Sequence, residues 1–151
     1  MMNFRYCLLI CFLLSGCSGH AQKLIFTHVP LLTSIDTSSV SGKISISKQE
    51  CYLIENFTED SISVKTVDDF VNTHKDSVLK KYANYYITFY KKSSQTNIEN
   101  IRKNKRIIDR YSFDNDLIYN YFWAQGKFIC RFRYKNGELI DPKNNITVKD
   151  P

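Results

Sequence analysis

The chain has 151 residues, of which 43% are hydrophobic and 14% aromatic. That length suits a single domain, and the composition excludes a disordered protein. The formal net charge of +6 permits an anionic partner, although surface charge of this size also serves solubility alone. Ten tyrosines and ten phenylalanines favour a fold rich in β-strands, because aromatic side chains suit a half-buried sheet surface.

The first residues of the chain have the features of an export signal. Arg5 precedes the apolar run YCLLICFLL, residues 6–14, which is too short to span a bilayer as a helix. Small residues follow this run, as cleavage by a signal peptidase requires. The sequence therefore predicts an exported protein with residues 1–16 as its signal peptide.

The motif Leu14-Ser15-Gly16-Cys17 resembles the bacterial lipobox. In lipoproteins the thiol of that cysteine takes a diacylglycerol, and cleavage occurs just before it. The resemblance implies that Cys17 is the first residue of the mature chain and that acyl chains such as palmitate anchor it in the cell envelope. Ser18 after the cysteine is compatible with the outer membrane. The alternative is cleavage after Ala21, which would release a soluble secreted or periplasmic protein.

The mature chain divides into an anchoring segment and one domain. Residues 17–43 are predicted as lipid anchor and tether, and residues 44–151 as a single α+β domain. Within the first part, KLIFTHVPLL, residues 23–32, is typical of an edge strand that ends at its proline. TSIDTSSVSGK, residues 33–43, is rich in serine and threonine and predicts a loop or tether.

The clearest helix signal lies in TVDDFVNTHKDSVLKKY, residues 66–82. Thr66 with Asp69 three residues later imitates a capping box, and Lys80 and Lys81 suit the last turn of a helix. The residues that recur at helical spacing on one face are Val67, Phe70, Val71, His74, Val78 and Tyr82. The sequence therefore predicts one main helix that packs this stripe on a sheet.

Alternating patterns and turn signals predict strands in most of the remaining chain. They cover residues 43–57, 84–92, 105–113, 117–125 and 128–134, with a short helix over residues 97–103. Asn136-Gly137 predicts a final hairpin. The order of elements is strand, helix and antiparallel meander, so the predicted fold class is α+β. This order resembles cystatin-like and NTF2-like architectures, and the resemblance implies a helix lying across a curved sheet.

The segment FICRFRY, residues 128–134, predicts a strand with two different faces. Cys130 shares the aromatic face, which alternation turns toward the core. Arg131 and Arg133 share the other face, and with Lys135 they form a candidate surface for an anionic lipid, a glycan or an acidic protein. The alternative is a solvated outer face without a partner.

Two cysteines remain in the mature chain besides Cys17. An exported compartment permits oxidation, so a disulfide between Cys51 and Cys130 is one prediction. The alternative is two separate buried thiols that act as small hydrophobic groups.

The sequence contains no catalytic, phosphate-binding or metal-binding motif, and its three histidines are scattered. It therefore predicts no enzyme, no cofactor and no metal, and export argues against a nucleic-acid partner. The leading function is a non-catalytic binding or structural lipoprotein of the envelope, attached to the membrane and contacting a protein, glycan or lipid. The alternatives are a protective inhibitor of the immunity type, which binds one partner protein, and a small hydrolase with His74 and a carboxylate in an apolar pocket.

Overall fold

The computed structural model describes residues 22–77, 79–103 and 115–140, with Val40 and Ser61 described by their backbone alone. Within these residues the chain forms an α+β fold, a mostly antiparallel sheet of seven strands with two helices, which confirms the predicted fold class. The strands are β1 Ile25–His28, β2 Ser34–Val40, β3 Lys43–Glu55, β4 Asn84–Lys91, β5 Leu117–Ala124, β6 Lys127–Lys135 and β7 Glu138–Leu139. The helices are α1 Ser61–His74 and α2 Ile98–Lys103.

Most of the predicted strands are present with their ends moved by a residue or two. The confirmed elements are β1, β3, β4, α2, β5 and β6, together with the Asn136-Gly137 hairpin. The strand predicted over residues 105–113 and the signal region with Cys17 lie outside the described residues.

β3 organises the first part of the sheet. Its first half pairs antiparallel with β2, its last residues pair antiparallel with β1, and β4 occupies its other side. The loop or tether predicted over residues 33–43 is therefore wrong at β2. Ser41 and Gly42 both have positive φ, which closes a two-residue hairpin between β2 and β3. A hydropathy pattern does not reveal this strand, because its serine side chains are polar and its pairing is made by backbone groups.

α1 begins and ends earlier than the prediction of residues 66–82. Its N-cap is Asp60, whose carboxylate accepts the backbone N–H of Ser63 at 2.7 Å. Thr66 lies inside the helix, where its hydroxyl donates to the Ile62 carbonyl at 2.8 Å instead of capping. α1 ends at His74, and a single 3₁₀ turn over Leu79–Lys81 follows separately. Asp60 and Thr66 are both residue types that cap helices, and the helix begins after Asp60.

α1 connects two parallel neighbours in the sheet. β3 and β4 pair in parallel, with Cys51 opposite Thr88, so the connection through α1 crosses one face of the sheet. From β4 to β7 each strand pairs antiparallel with the next, as the predicted meander requires.

The core has two parts, one on each face of the sheet. Val67 and Val71 of α1 are fully buried in the larger cluster, which also contains Trp123. On the opposite face α2 buries Ile101 in a smaller cluster with Leu53. The predicted stripe on α1 is confirmed at Val67 and Val71, whereas Val78 lies outside the described residues.

Phe70 is a half-buried member of the stripe on α1. Its ring stacks on Phe26 with centroids 4.1 Å apart and contacts Phe89 edge-on at 6.0 Å. We expect Phe70→Ala to lower the free energy of unfolding by about 3 kcal/mol, the low end for a core phenylalanine, because the side chain is only partly buried. Ile62→Ala is the control, since Ile62 lies on α1 but is 72% exposed; its effect should stay within about 0.5 kcal/mol. Urea denaturation measures both, and a loss below about 1 kcal/mol at Phe70 would place that side chain outside the core.

Candidate binding surface

Arg131, the first of the predicted anion-binding residues, is buried and points toward α1. Its guanidinium lies 2.7 Å from the Asp68 carboxylate and 5.1 Å above the Tyr119 ring. The Tyr121 hydroxyl donates to the same Asp68 oxygen at 2.5 Å. The prediction that Arg131 lies on an exposed anion-binding surface is therefore wrong, because its charge is neutralised inside the fold.

Arg133 and Lys135 share one carboxylate near the same end of β6. Glu59 lies 3.6 Å from Arg133 and 3.3 Å from Lys135. Both basic side chains keep access to solvent, but each already has an acidic neighbour. The structure thus separates the three predicted residues into one buried ion pair and one shared, half-exposed contact.

The face assignment of β6 changes at a β-bulge. Alternation predicts Phe128 and Cys130 on one face, yet the register between β5 and β6 shifts between Phe122 and Trp123. Phe128 contacts Trp123 in the core beneath α1, whereas Cys130 lies opposite Phe122 on the other face. One extra residue in a strand reverses the alternation beyond it, and a sequence pattern does not record that residue.

Cys51 and Cys130 are not bonded to each other, so the predicted disulfide is wrong. Cys51 lies in β3 and Cys130 in β6, and β4 and β5 lie between them. Three strand spacings of about 4.8 Å separate the two cysteines by roughly 14 Å, twice the limit of about 7 Å for bonded Cα atoms. The alternative of two separate thiols holds. The Cys51 thiol donates to the Leu32 carbonyl at 3.3 Å, and burial raises the pKa of Cys130.

The sheet has two ends with different roles in the chain. At the entry end, residues 22–24 lead into β1, and the Asn56 amide donates to the Lys23 carbonyl at 3.1 Å. At the far end, the Ala83 N–H donates to the Ile46 carbonyl at 2.8 Å, and the Gln125 N–H donates to the Ala83 carbonyl at 3.0 Å. The stretch of β3 from Ile46 to Glu55 separates these ends, which corresponds to roughly 30 Å.

The far end is rich in lysine. The lysines there are Lys43, Lys75, Lys80, Lys81 and Lys127, all exposed except the half-buried Lys75. None of the ion pairs among the described residues includes any of the five, although Lys81 lies 4.8 Å above the Tyr82 ring. Ammonium groups without carboxylate partners attract anions, so this end favours a negatively charged partner.

A cleft of about 680 Å³ opens among these lysines. Its walls include Asn72, Lys75, Asp76, Leu79, Lys80 and Gly126. We call it the lysine cleft. Gly126 forms its tightest wall, because a Cβ atom there would lie 2.7 Å from Cγ of Lys80, and its φ of 80° suits glycine.

An ionic network surrounds Asp76, one of the residues that line the lysine cleft. Lys48 lies 2.5 Å from Glu50 and 2.9 Å from Asp76, and the Tyr82 hydroxyl donates to Asp76 at 3.1 Å. Burial alone would lower the pKa of Lys48, but its hydrogen bonds to the two carboxylates outweigh this effect and raise it. Burial and the charge of Glu50 raise the pKa of Tyr52 to about 12. The network of one lysine and two carboxylates has a net charge of −1, and it lies beside the lysines of the cleft.

The two histidines that the structure describes, His28 and His74, do not line the lysine cleft. His74 stacks on Phe70 with ring centroids 3.9 Å apart, and its Nδ1 lies 3.0 Å from the Phe70 carbonyl. His28 bonds the Thr33 hydroxyl at 3.0 Å. No group of three or more metal-ligating side chains occurs in the described parts of the chain. The cleft therefore offers charge and shape for binding.

Comparisons with known proteins give no family. No protein-family model, curated protein or solved structure matches the chain. Neither helix in the described residues is both long and apolar enough to cross a bilayer.

Proposed function

We propose that this protein is an exported envelope lipoprotein whose domain binds an anionic partner without catalysis. Cys17 carries the lipid that attaches the protein to the membrane, and the outer membrane is the proposed site. The far end of the sheet, with its lysine cleft, receives the partner. The proposal keeps the prediction that the α+β domain has a cystatin-like or NTF2-like architecture.

The observation that supports this proposal is the opposite placement of the two ends. Residues 22–24 enter the sheet at one end, and the lysines without ion-pair partners lie at the other. The seven residues between Cys17 and β1 can extend over at most about 25 Å. A domain held this closely presents its entry end to the membrane and its far end, roughly 30 Å away, to the surrounding compartment.

The lipid anchor is tested by Cys17→Ala. We expect this variant to leave the membrane fraction or to accumulate with its signal peptide, because no cysteine remains at the cleavage site for acylation. Cys11→Ala is the matched control, since it removes another cysteine from the same region and should keep the acylated mass. Intact-mass analysis of the membrane fraction measures both. A mature chain that begins at Gln22 without an acyl group would contradict the proposal.

The partner site is tested by charge reversal at the lysine cleft. A variant with Lys75→Glu, Lys80→Glu and Lys81→Glu should lose most of the envelope components that co-purify with the wild-type protein. The control reverses three exposed lysines elsewhere, Lys23, Lys91 and Lys103, and changes the net charge equally. Quantitative mass spectrometry at low and high salt compares them, because surface attraction weakens with ionic strength. Equal loss from both variants would mean that overall charge, and not the cleft, holds the partner.

A protective inhibitor of the immunity type is the second candidate, and the exposed strand β2 favours it. Backbone groups at a free strand edge suit a protein partner better than a lipid or glycan. An inhibitor should form a stable 1:1 complex with one protein, whereas a structural lipoprotein should retain several envelope components. Size-exclusion chromatography of the purified complex separates the two candidates.

A further inference from the structure

Among the described residues, β2 is the longest unpaired edge of the sheet without a bulge. At the opposite edge β7 pairs with only Tyr134 and Lys135 of β6, and the rest of β6 carries a bulge and Lys127. β1 has four residues and is followed closely by Pro30. β2 has seven residues, Ser34–Val40, without proline, lysine or a break in its register with β3. Natural proteins normally blunt an edge of this length, so an edge left open marks a place where another strand can pair.

The hairpin turn shows which backbone groups of β2 face outward. Positive φ at Ser41 and Gly42 makes the pair Val40–Lys43 the first hydrogen-bonded pair of the ladder. Hydrogen-bonded and non-bonded pairs alternate along antiparallel strands. Ile35, Thr37 and Ser39 therefore belong to non-bonded pairs, and their N–H and C=O groups point away from β3.

One exposed apolar side chain lies among these outward groups. Ile35 is 62% exposed and lies on the same face of the sheet as α1. It lies directly opposite Lys48, the lysine that bonds Asp76. A strand added to β2 would place alternate side chains beside Ile35 on this face.

We propose that an extended segment of a partner protein adds to the free edge of β2 as a further strand. Its backbone bonds the outward groups of Ile35, Thr37 and Ser39, and an apolar side chain on the same face contacts Ile35. This inference rests on the proposed function, because it names the partner as a protein and adds β2 to the interface at the far end.

The lipid anchor argues for a different protein and against a second copy of this chain. β2 runs from the entry end toward the far end of the sheet, because it pairs antiparallel with β3. Two copies anchored to one membrane through Cys17 would hold their β2 strands in the same direction. Antiparallel pairing between them would require one copy to be inverted, away from its membrane.

The test uses a phage-displayed library of random nine-residue peptides, selected on the full mature protein in detergent. Selected peptides should bind the wild type and Thr37→Ala equally. They should bind Thr37→Pro roughly tenfold more weakly or worse, because proline removes one outward N–H without removing a bond between β2 and β3. Failure to select any peptide, or equal binding to Thr37→Pro, would overturn the proposal. Dimerisation of the wild type that is lost in Thr37→Pro would also overturn the proposal, because β2 would then pair with a second copy of this chain.

A second measurement does not depend on the folding of Thr37→Pro. N-methyl groups are placed one residue at a time along the best peptide, and binding should fall at every second position, as a strand ladder requires. Loss without this period of two would reject strand addition. Charge reversal at Lys75, Lys80 and Lys81 distinguishes this proposal from the proposed function. If the variant loses its anionic partners but binds the peptides with the same period of two, β2 and the lysine cleft are independent binding sites. If the variant keeps its anionic partners, the proposed function is rejected and strand addition at β2 is not.

Discussion

Above pH 10 the free energy of unfolding should fall steeply, because the fold keeps several tyrosines protonated. Burial is the largest cause of a raised pKa at Tyr52, Tyr85, Tyr119 and Tyr121. In the unfolded chain these phenols ionise near pH 10. The folded state then binds more protons than the unfolded state, so stability is complete below pH 10 and is lost as pH rises through the folded pKa values.

The expected slope is large for a domain of this size. Each protonated tyrosine contributes up to about 1.4 kcal/mol per pH unit, so the four together contribute up to about 5.5 kcal/mol per pH unit. The raised pKa of Lys48 acts in the same direction above pH 10.5, its usual value. A stability of about 5–15 kcal/mol would be exhausted within one to three pH units. Urea denaturation at intervals from pH 8 to 12 measures the slope.

Tyr119→Phe provides the matched control for the alkaline slope. The Tyr119 hydroxyl is buried and has no hydrogen-bond partner among the described residues. Its removal should be neutral or stabilising by about 1 kcal/mol at pH 7, because an unsatisfied polar group leaves the core. The same change should flatten the loss above pH 10. A slope that is shallow in the wild type, or unchanged in the variant, would contradict the assignment of the slope to buried phenols.

Asp68→Ala should be the most destabilising single change among the charged residues. It leaves Arg131, whose side chain is 8% exposed, without its carboxylate, and it removes the acceptor of the Tyr121 hydroxyl. Breaking a buried ion pair on one side costs about 3–5 kcal/mol, since an uncompensated charge stays in the core. Thermal or urea unfolding at pH 7 measures the loss.

The neighbouring carboxylate gives a sharp comparison. Asp69 forms its ion pair with Lys65 on the exposed side of α1, where both side chains are more than half accessible. Asp69→Ala should therefore change stability by less than about 0.5 kcal/mol. In the double variant Asp68→Ala with Arg131→Met, much of the loss should return because no buried charge remains. Equal losses at Asp68 and Asp69 would show that the Arg131 pair does not hold α1 to the sheet.

Local patterns predict most of the sheet correctly. Alternation in the β4 segment places Ile87 and Phe89 on the face that the structure buries beneath α1, and strand β3 follows from Ile44 and Ile46. These elements are predictable because their side chains are sorted by face, and the sorting is visible at a spacing of two residues. The short helix α2 is predictable for a similar reason, since Ile98 and Ile101 share its buried side.

The errors arise where a distant contact decides the outcome. Asp60 and Thr66 both offer a helix start, and packing of α1 selects Asp60. The bulge in β6 turns Arg131 toward Asp68, 63 residues earlier in the chain. The lysine cleft joins residues 72–81 to Gly126, and no local pattern brings these segments together. β2, in contrast, could have been predicted from the sequence, because Ser41-Gly42 is recognisable as a hairpin turn.

The arrangement of β1 on β3 also determines how the molecule would carry mechanical load. With Cys17 held in a membrane and a partner attached at the far end, any pull between them would act along the strands. β1 and β3 are antiparallel and pair over four residues, from Ile25–Glu55 to His28–Tyr52. Hydrogen bonds across such a ladder lie perpendicular to the force. They would therefore be sheared together and not opened one at a time, so a four-residue strand resists traction better than its length suggests.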